Sequence, residues 1–199
     1  MKRLLLIRHG ETEWNAARRL QGQRDIGLSS AGEAQAVALA PLVAALVPCL
    51  VRSSDLARAR HTAALLGHPE AEPEPRLREQ ALGDWEGRPV TDIRAVDGEA
   101  YLAWRAGTYA PPGAEHWDAF RQRVRAGIDA ALTAGPKTVA LVCHGGVIRA
   151  ALDAYLGLSP KQIIPVGPAS LTILAQSDTG IRLEAFNLRG GGVTLDAPD

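Results

Sequence analysis

Twice in this chain a short apolar run stops at a histidine followed by glycine. The first is Leu4-Leu5-Leu6-Ile7-Arg8-His9-Gly10, and the second is Thr138-Val139-Ala140-Leu141-Val142-Cys143-His144-Gly145-Gly146. Neither run alternates apolar with polar residues, which marks a strand buried on both faces at the centre of a parallel sheet. In such a sheet both histidines stand at the carboxyl edge, where open α/β folds collect ligands near a topological switch point. Glycine after each histidine is expected to let backbone approach a ligand closely.

The rest of the pattern agrees with that sheet. Pro48-Cys49-Leu50-Val51 reads as a further buried strand. Ser170 to Leu174 and Ile181 to Phe186 read as a hairpin turned at Ser177-Asp178-Thr179-Gly180. Ser30-Ala31-Gly32-Glu33 predicts a capping box and a helix to Leu46, kinked at Pro41. Asp55 predicts the cap of a helix through Leu66, Ala114 to Ala134 carries helical spacing, and Val147 to Leu156 follows the last parallel strand. Gly67 to Pro75 and Gly107 to Gly113 read as loops. Strand–helix alternation predicts an α/β fold: a mostly parallel central sheet flanked by helices on both faces, with a short helical insertion. One domain over residues 1–199 is expected, with about 80–136 as an insertion or cap and Gly190 to Asp199 as a mobile tail.

Charge and apolar content exclude several classes. The 22 basic and 22 acidic residues cancel, so no global basic field favours nucleic acid. The longest apolar run, Ala36 to Val51, is broken by Pro41 and Pro48 and falls short of the about 20 residues that span a membrane. The apolar stretch after Lys2-Arg3 is too short for a signal-peptide core. A cytoplasmic protein with no membrane partner is expected. With only Cys49 and Cys143, disulfides do not organise the fold. No histidine pair has metal-ligand spacing, so no metal and no cofactor are expected.

Arginines give the strand ends their chemistry. Arg8 closes a buried strand, and its planar fork fits phosphate oxygens. An ion pair with Glu11 or Asp55 is the alternative use. Arg58 lies at the start of the second predicted helix, where it opposes the helix dipole. An oxyanion held between Arg58 and the helix amides would account for it.

Four segments, in order, resemble the histidine phosphatase superfamily, the group containing the phosphoglycerate mutases. They are Leu6-Ile7-Arg8-His9-Gly10-Glu11-Thr12-Glu13-Trp14-Asn15, Ser54-Asp55-Leu56-Ala57-Arg58-Ala59, Leu77-Arg78-Glu79-Gln80-Ala81-Leu82-Gly83-Asp84-Trp85-Glu86-Gly87 and Cys143-His144-Gly145-Gly146-Val147-Ile148-Arg149. The resemblance implies that His9 is the nucleophile, attacking phosphorus and becoming a phosphohistidine. It implies that Arg8, Arg58 and His144 grip the phosphate oxygens, with Asn15 and Gly145 as further phosphate contacts. An N-cap or turn role for Asn15 is the competing reading. Glu79 matches the general acid, and Glu86 is a weaker rival.

The implied reaction is metal-independent hydrolysis of a small phosphorylated metabolite. Phosphoglycerate mutase-type transfer and a non-catalytic phospho-ligand-binding module are the alternatives. Hydrolysis is preferred because the arginines between Glu79 and His144, namely Arg88, Arg94, Arg105, Arg121, Arg123 and Arg125, mostly read as solvated helix faces. No pair among them reads as a clamp for a second phosphate. Trp104, Tyr109 and His116 are read either as a pocket wall for a ring-bearing substrate or as packing. Gly113-Ala114-Glu115-His116 departs from the Gly-Gly-Glu-Ser of many phosphatase-like relatives.

Overall fold

The computed structural model describes residues 2–135 and 137–190. Its sheet has six strands: β1 (Lys2–Arg8), β2 (Leu50–Ser53), β3 (Glu72–Pro73), β4 (Thr138–Cys143), β5 (Ser170–Ser177) and β6 (Gly180–Arg189). Their spatial order is β3-β2-β4-β1-β5-β6, parallel from β3 to β1 and antiparallel through β5 and β6. The mostly parallel α/β sheet expected from the sequence is therefore the observed one. β2 starts at Leu50 instead of Pro48, and the expected loop after Gly67 contains the two-residue edge strand β3.

After the one-turn helix α1 (Glu13–Ala16), longer helices cover both faces, and each face has its own core. On one face α5 (Trp117–Ala134) and α6 (Gly145–Leu156) pack Phe120, Val124, Ile128, Ile148 and Leu152 onto Leu4, Leu6, Val139 and Leu141. On the other, α2 (Ser30–Ala45) and α3 (Ala57–Leu65) pack Leu39, Val43, Ala59 and Ala63 onto Leu5, Ile7, Ala140 and Val142. Alternate residues of β1 and β4 thus feed opposite cores, which is why neither run shows polar alternation. α5, counted with the expected insertion, packs directly on the sheet. A separate small cluster of Leu82, Trp85, Val90, Ile93 and Tyr101 surrounds α4 (Val90–Arg105) beside the carboxyl edge.

Two helix starts differ from the sequence reading. α2 is capped by Ser29, whose Oγ accepts the Gly32 N–H at 3.1 Å, and Pro41 lies inside the helix. α3 begins without a side-chain cap of its own, because the Asp55 carboxylate is drawn to the Arg78 guanidinium at 2.8 and 2.5 Å. Asp25 supplies the missing acceptor, taking the Ala57 N–H at 2.7 Å. α4 had no clear helical signal because it is broken: Asp97 leaves helical geometry and its carboxylate recaps the chain at Ala100. The mobile tail expected over Gly190 to Asp199 lies, apart from Gly190, outside the described residues. Among the described residues no helix is long and apolar enough to cross a membrane.

Candidate active site

Strand pairing brings the two histidines together. Arg8 is in register with Cys143, and the His9 N–H donates to the Cys143 carbonyl at 3.0 Å. Adjacent parallel strands end side by side, so the next residue of each, a histidine, emerges at one edge. The rings stand 5.1 Å apart between centroids at 62°, edge to face. Both are buried, His9 at 3% and His144 at 0% exposure.

Hydrogen bonding sets the state of His9. Its Nδ1 lies 2.6 Å from the Gly10 carbonyl, which can only accept, so Nδ1 carries the proton. Nε2 then bears the lone pair, and Arg58 Nε approaches it at 3.3 Å. Burial, followed by the charges of Arg58 and Arg8, lowers the His9 pKa well below 6.5, so the ring is neutral at pH 7. Burial lowers His144 in the same direction, with Arg58 the next cause. His144 Nε2 meets Ser54 Oγ at 2.9 Å, and its buried Nδ1 has no hydrogen-bond partner among the described residues.

Arg58 is 1% exposed and is fixed from behind, with Nη1 and Nη2 donating to the Arg24 and Gly22 carbonyls at 2.7 and 2.8 Å. At the start of α3 the oxyanion is the protein's own, the Asp25 carboxylate on the Ala57 N–H. Arg8 donates Nη1 to the Val166 carbonyl, while its buried Nε has no acceptor among the described residues. Neither ion pair considered for Arg8 forms: Asp55 is held by Arg78, and Glu11 faces Ser29. Burial lowers the pKa of Arg8 and of Arg58 to about 10, and both stay charged at neutral pH.

The Glu79 carboxylate takes two backbone amides, that of Gln80 at 2.8 Å and that of Gly146, in the first turn of α6, at 2.9 Å. The rival Glu86 is structural. Its Oε1 accepts the Gln23 and Leu82 amides and its Oε2 lies 3.3 Å from Arg24 Nε. Asn15 is not the N-cap, which is Thr12, but the third residue of the helix that Thr12 opens. Its Oδ1 closes a capping box with Thr12, while the residue lines the cavity. The glycines divide unexpectedly. A Cβ on Gly10 would strike the Gly32 backbone, so its bareness lets β1 end close against helix α2. At Gly145 a Cβ would rest 3.6 Å from Arg8 Nε, an ordinary contact. At Gly146, which the sequence reading passed over, it would collide with the Glu79 carboxylate.

A cavity of about 480 Å³ opens above these groups, lined by Arg8, His9, Asn15, Arg58, Glu79 and Gly145 among others. His144 is not on its wall. Trp104 is, with its Nε1 held 3.2 Å from Gln80 Oε1. Tyr109 and His116 are not: Tyr109 packs on Trp85 and His116 precedes α5. The expectation of solvated arginines fails at two positions. Arg105 lines the cavity. Arg123 is tied to Glu115 at 2.7 Å and donates to the Arg76, Arg78 and Glu79 carbonyls, fixing the strip that carries the acid. No spacing rule points to Arg123, since the carbonyls it holds are more than forty residues away.

The model of the histidine phosphatase superfamily, branch 1, matches residues 4–189. The chain belongs to that superfamily. This histidine phosphatase is 41% identical over 170 residues to a glucosyl-3-phosphoglycerate phosphatase of Mycolicibacterium vanbaalenii, covering 79% of this chain and 76% of the relative. It is 35% identical over 167 residues to a probable phosphoglycerate mutase of Yersinia enterocolitica, covering 80% and 77%. Among solved structures it is similar to a mycobacterial glucosyl-3-phosphoglycerate phosphatase in complex with VO3, with a TM-score of 0.87, 38% identity and 94% and 99% coverage. Among the described residues no three His, Cys, Asp or Glu side chains are grouped to hold a metal ion.

Proposed function

We propose that this histidine phosphatase hydrolyses a small phosphomonoester in two steps, through a phosphohistidine on His9. The observation that carries the reading is the fixed His9 tautomer. A neutral ring with Nδ1–H held by Gly10 presents an Nε2 lone pair beside the buried Arg58 guanidinium and the half-buried Arg8. In the first step Nε2 attacks phosphorus, the ester P–O bond breaks, and Glu79 delivers a proton to the leaving oxygen. In the second, Glu79 takes a proton from water as that water attacks phosphorus. The N–P bond breaks, its electron pair returns to Nε2, and inorganic phosphate leaves.

Arg8 and Arg58 counter the charge on the transferring group. Asn15 and the Gly145 amide complete the phosphate cradle. His144 holds the His9 ring edge-on. Its Nδ1 is left for a phosphate oxygen if Ser54 donates to Nε2. The relatives' names put phosphorylated glycerate derivatives, with or without a sugar, first among substrates to try. A cytoplasmic location belongs to the same reading, since the two free thiols, Cys49 and Cys143, suit a reducing compartment.

The test is rapid quenching with a phosphomonoester in chelator-containing buffer. A phosphorylated peptide containing His9 should accumulate, and His9→Ala should lose both the adduct and turnover, by at least about 10³-fold. Turnover by His9→Ala near the wild-type rate would remove the nucleophile. Mutase-type transfer is the second reading, favoured by the arginines on the cavity wall. It is separated by supplying a bisphosphorylated primer with 3-phosphoglycerate and looking for the isomer.

A further inference from the structure

The tautomer of His9 hangs on one peptide group. The Gly10 carbonyl accepts the Nδ1 proton, and the Glu11 N–H points the opposite way from the same planar trans unit. Were that unit turned over, the Glu11 N–H would face Nδ1 and donate to it. The ring proton would then sit on Nε2, and the lone pair that attacks phosphorus would be lost. Glycine resists such a turn less than any other residue. The peptide has to be held from outside.

Every backbone polar group from His9 to Glu11 has a partner. The His9 N–H donates to the Cys143 carbonyl at 3.0 Å, and the His9 carbonyl accepts the Ala169 N–H at 2.9 Å. The Gly10 N–H donates to Thr62 Oγ1 at 3.0 Å, and that hydroxyl donates to the Arg58 carbonyl at 2.7 Å. The Glu11 carbonyl accepts the Ser29 N–H at 2.9 Å. There remains the Glu11 N–H, which donates to Gln35 Oε1 at 3.0 Å. Only this last bond grips the Gly10 carbonyl's own peptide from its far side.

Gln35 comes from the second turn of α2, is half-buried and lines the cavity. Its oxygen must be the atom that meets Glu11, because a backbone N–H can only donate. The helix is seated tightly on this loop, since a Cβ on Gly32 would strike the Glu11 backbone. An N–H that donates also polarises the carbonyl of its own peptide, so the two bonds strengthen each other.

We infer that Gln35 is a positioning residue for the nucleophile: through the Glu11 N–H it locks the peptide whose carbonyl keeps the proton on His9 Nδ1 and leaves Nε2 free to attack. The inference rests on the phosphatase reading and adds to it a residue that acts through a peptide and not on the phosphate.

Nitrogen NMR of histidine-labelled protein reports which ring nitrogen is protonated, so the test does not depend on turnover. With its signals assigned by their loss in His9→Ala, wild-type His9 should show a protonated Nδ1 and a bare Nε2 at neutral pH. Gln35→Met keeps the length and removes the acceptor. It should mix the two tautomers and slow phosphohistidine formation about tenfold in rapid quenching, the worth of one hydrogen bond, with KM moving less than kcat. Gln35→Glu, which keeps an oxygen acceptor, should hold the wild-type ring pattern and most of the rate. Gln35→Ala supplies the same readings if the methionine variant does not fold. A ring pattern unmoved in Gln35→Met, or an unslowed phosphorylation step, overturns the inference, as does an equal loss in Gln35→Glu. If the wild type turns over no ester, the phosphatase reading fails, and the ring pattern of Gln35→Met against wild type still decides the positioning.

Discussion

The cavity has a floor and a wall, and the two are made differently. The floor is the strand edge: His9 and His144 follow paired strands, Arg8 closes one of them, and Arg58 stands in the first turn of α3. Nearly every polar contact there reaches the backbone or another floor residue. The wall draws on α4, α6, the loop at 165–168 and the end of β6, segments far apart in sequence. A floor built this way fixes the reaction, whereas a wall built from remote pieces can change its substrate without disturbing the chemistry.

Glu79 joins floor to wall, so the sharpest way to break the division is there. Its carboxylate bonds the Gly146 amide on the floor side and the Gln80 amide on the wall side. Glu79→Gln keeps the size, removes the proton and gives up one of the two backbone amide contacts, because its NH2 cannot accept. The rate at which alkyl phosphates form the phosphohistidine, the step that needs the leaving-group proton, should fall by about 10²–10⁴-fold. The loss should be far smaller for 4-nitrophenyl phosphate, whose leaving group departs without protonation. Equal losses on both esters would show that Glu79 only shapes the site.

The floor was legible in the sequence because its residues sit in short motifs at strand ends, where local pattern dictates position. Arg8, His9, Arg58, Asn15 and Glu79 could be named, and the structure gathers them at one cavity. The wall was not legible. Arg105 ends a helix interrupted at Asp97, and Arg189 is turned inward only by a register shift and a left-handed Asn187. Neither the interruption nor the shift leaves a periodic trace. Gly146 was missed for a related reason. A glycine's neighbours are invisible until the fold places a carboxylate where its side chain would be.

Gly146 gives the next test of the boundary. Gly146→Ala drives a methyl group into the Glu79 carboxylate, whereas Gly145→Ala meets Arg8 Nε at an ordinary 3.6 Å. Displacing the acid by about 1 Å should lower kcat about 10²-fold. The alanine at 145 should cost much less, although the two glycines are neighbours in one motif. A larger loss at 145 than at 146 would mean that the tight approach lies against phosphate and not against Glu79.

The smallest effect concerns the floor alone and is read as stability. His9 and His144 are buried with pKa values held below 6.5, so below that pH the unfolded chain takes up protons that the folded chain refuses. Stability therefore falls as pH drops below 6.5, by up to about 1.4 kcal/mol per pH unit for each histidine. Asp55, Glu74 and Glu184 are shifted the other way, each lowered by a hydrogen-bonded arginine from the ordinary carboxylate values of 3.8 for Asp55 and 4.5 for the glutamates. Their contribution is lost only at those lower pH values, which leaves the window between pH 6.5 and 5 to the imidazoles. Thermal unfolding across that window should show Tm falling with pH, and His9→Gln should reduce the slope by about half. A Tm that stays level from pH 7 to 5 would mean that the two rings are free to take protons in the folded protein, and the neutral nucleophile would lose its physical basis.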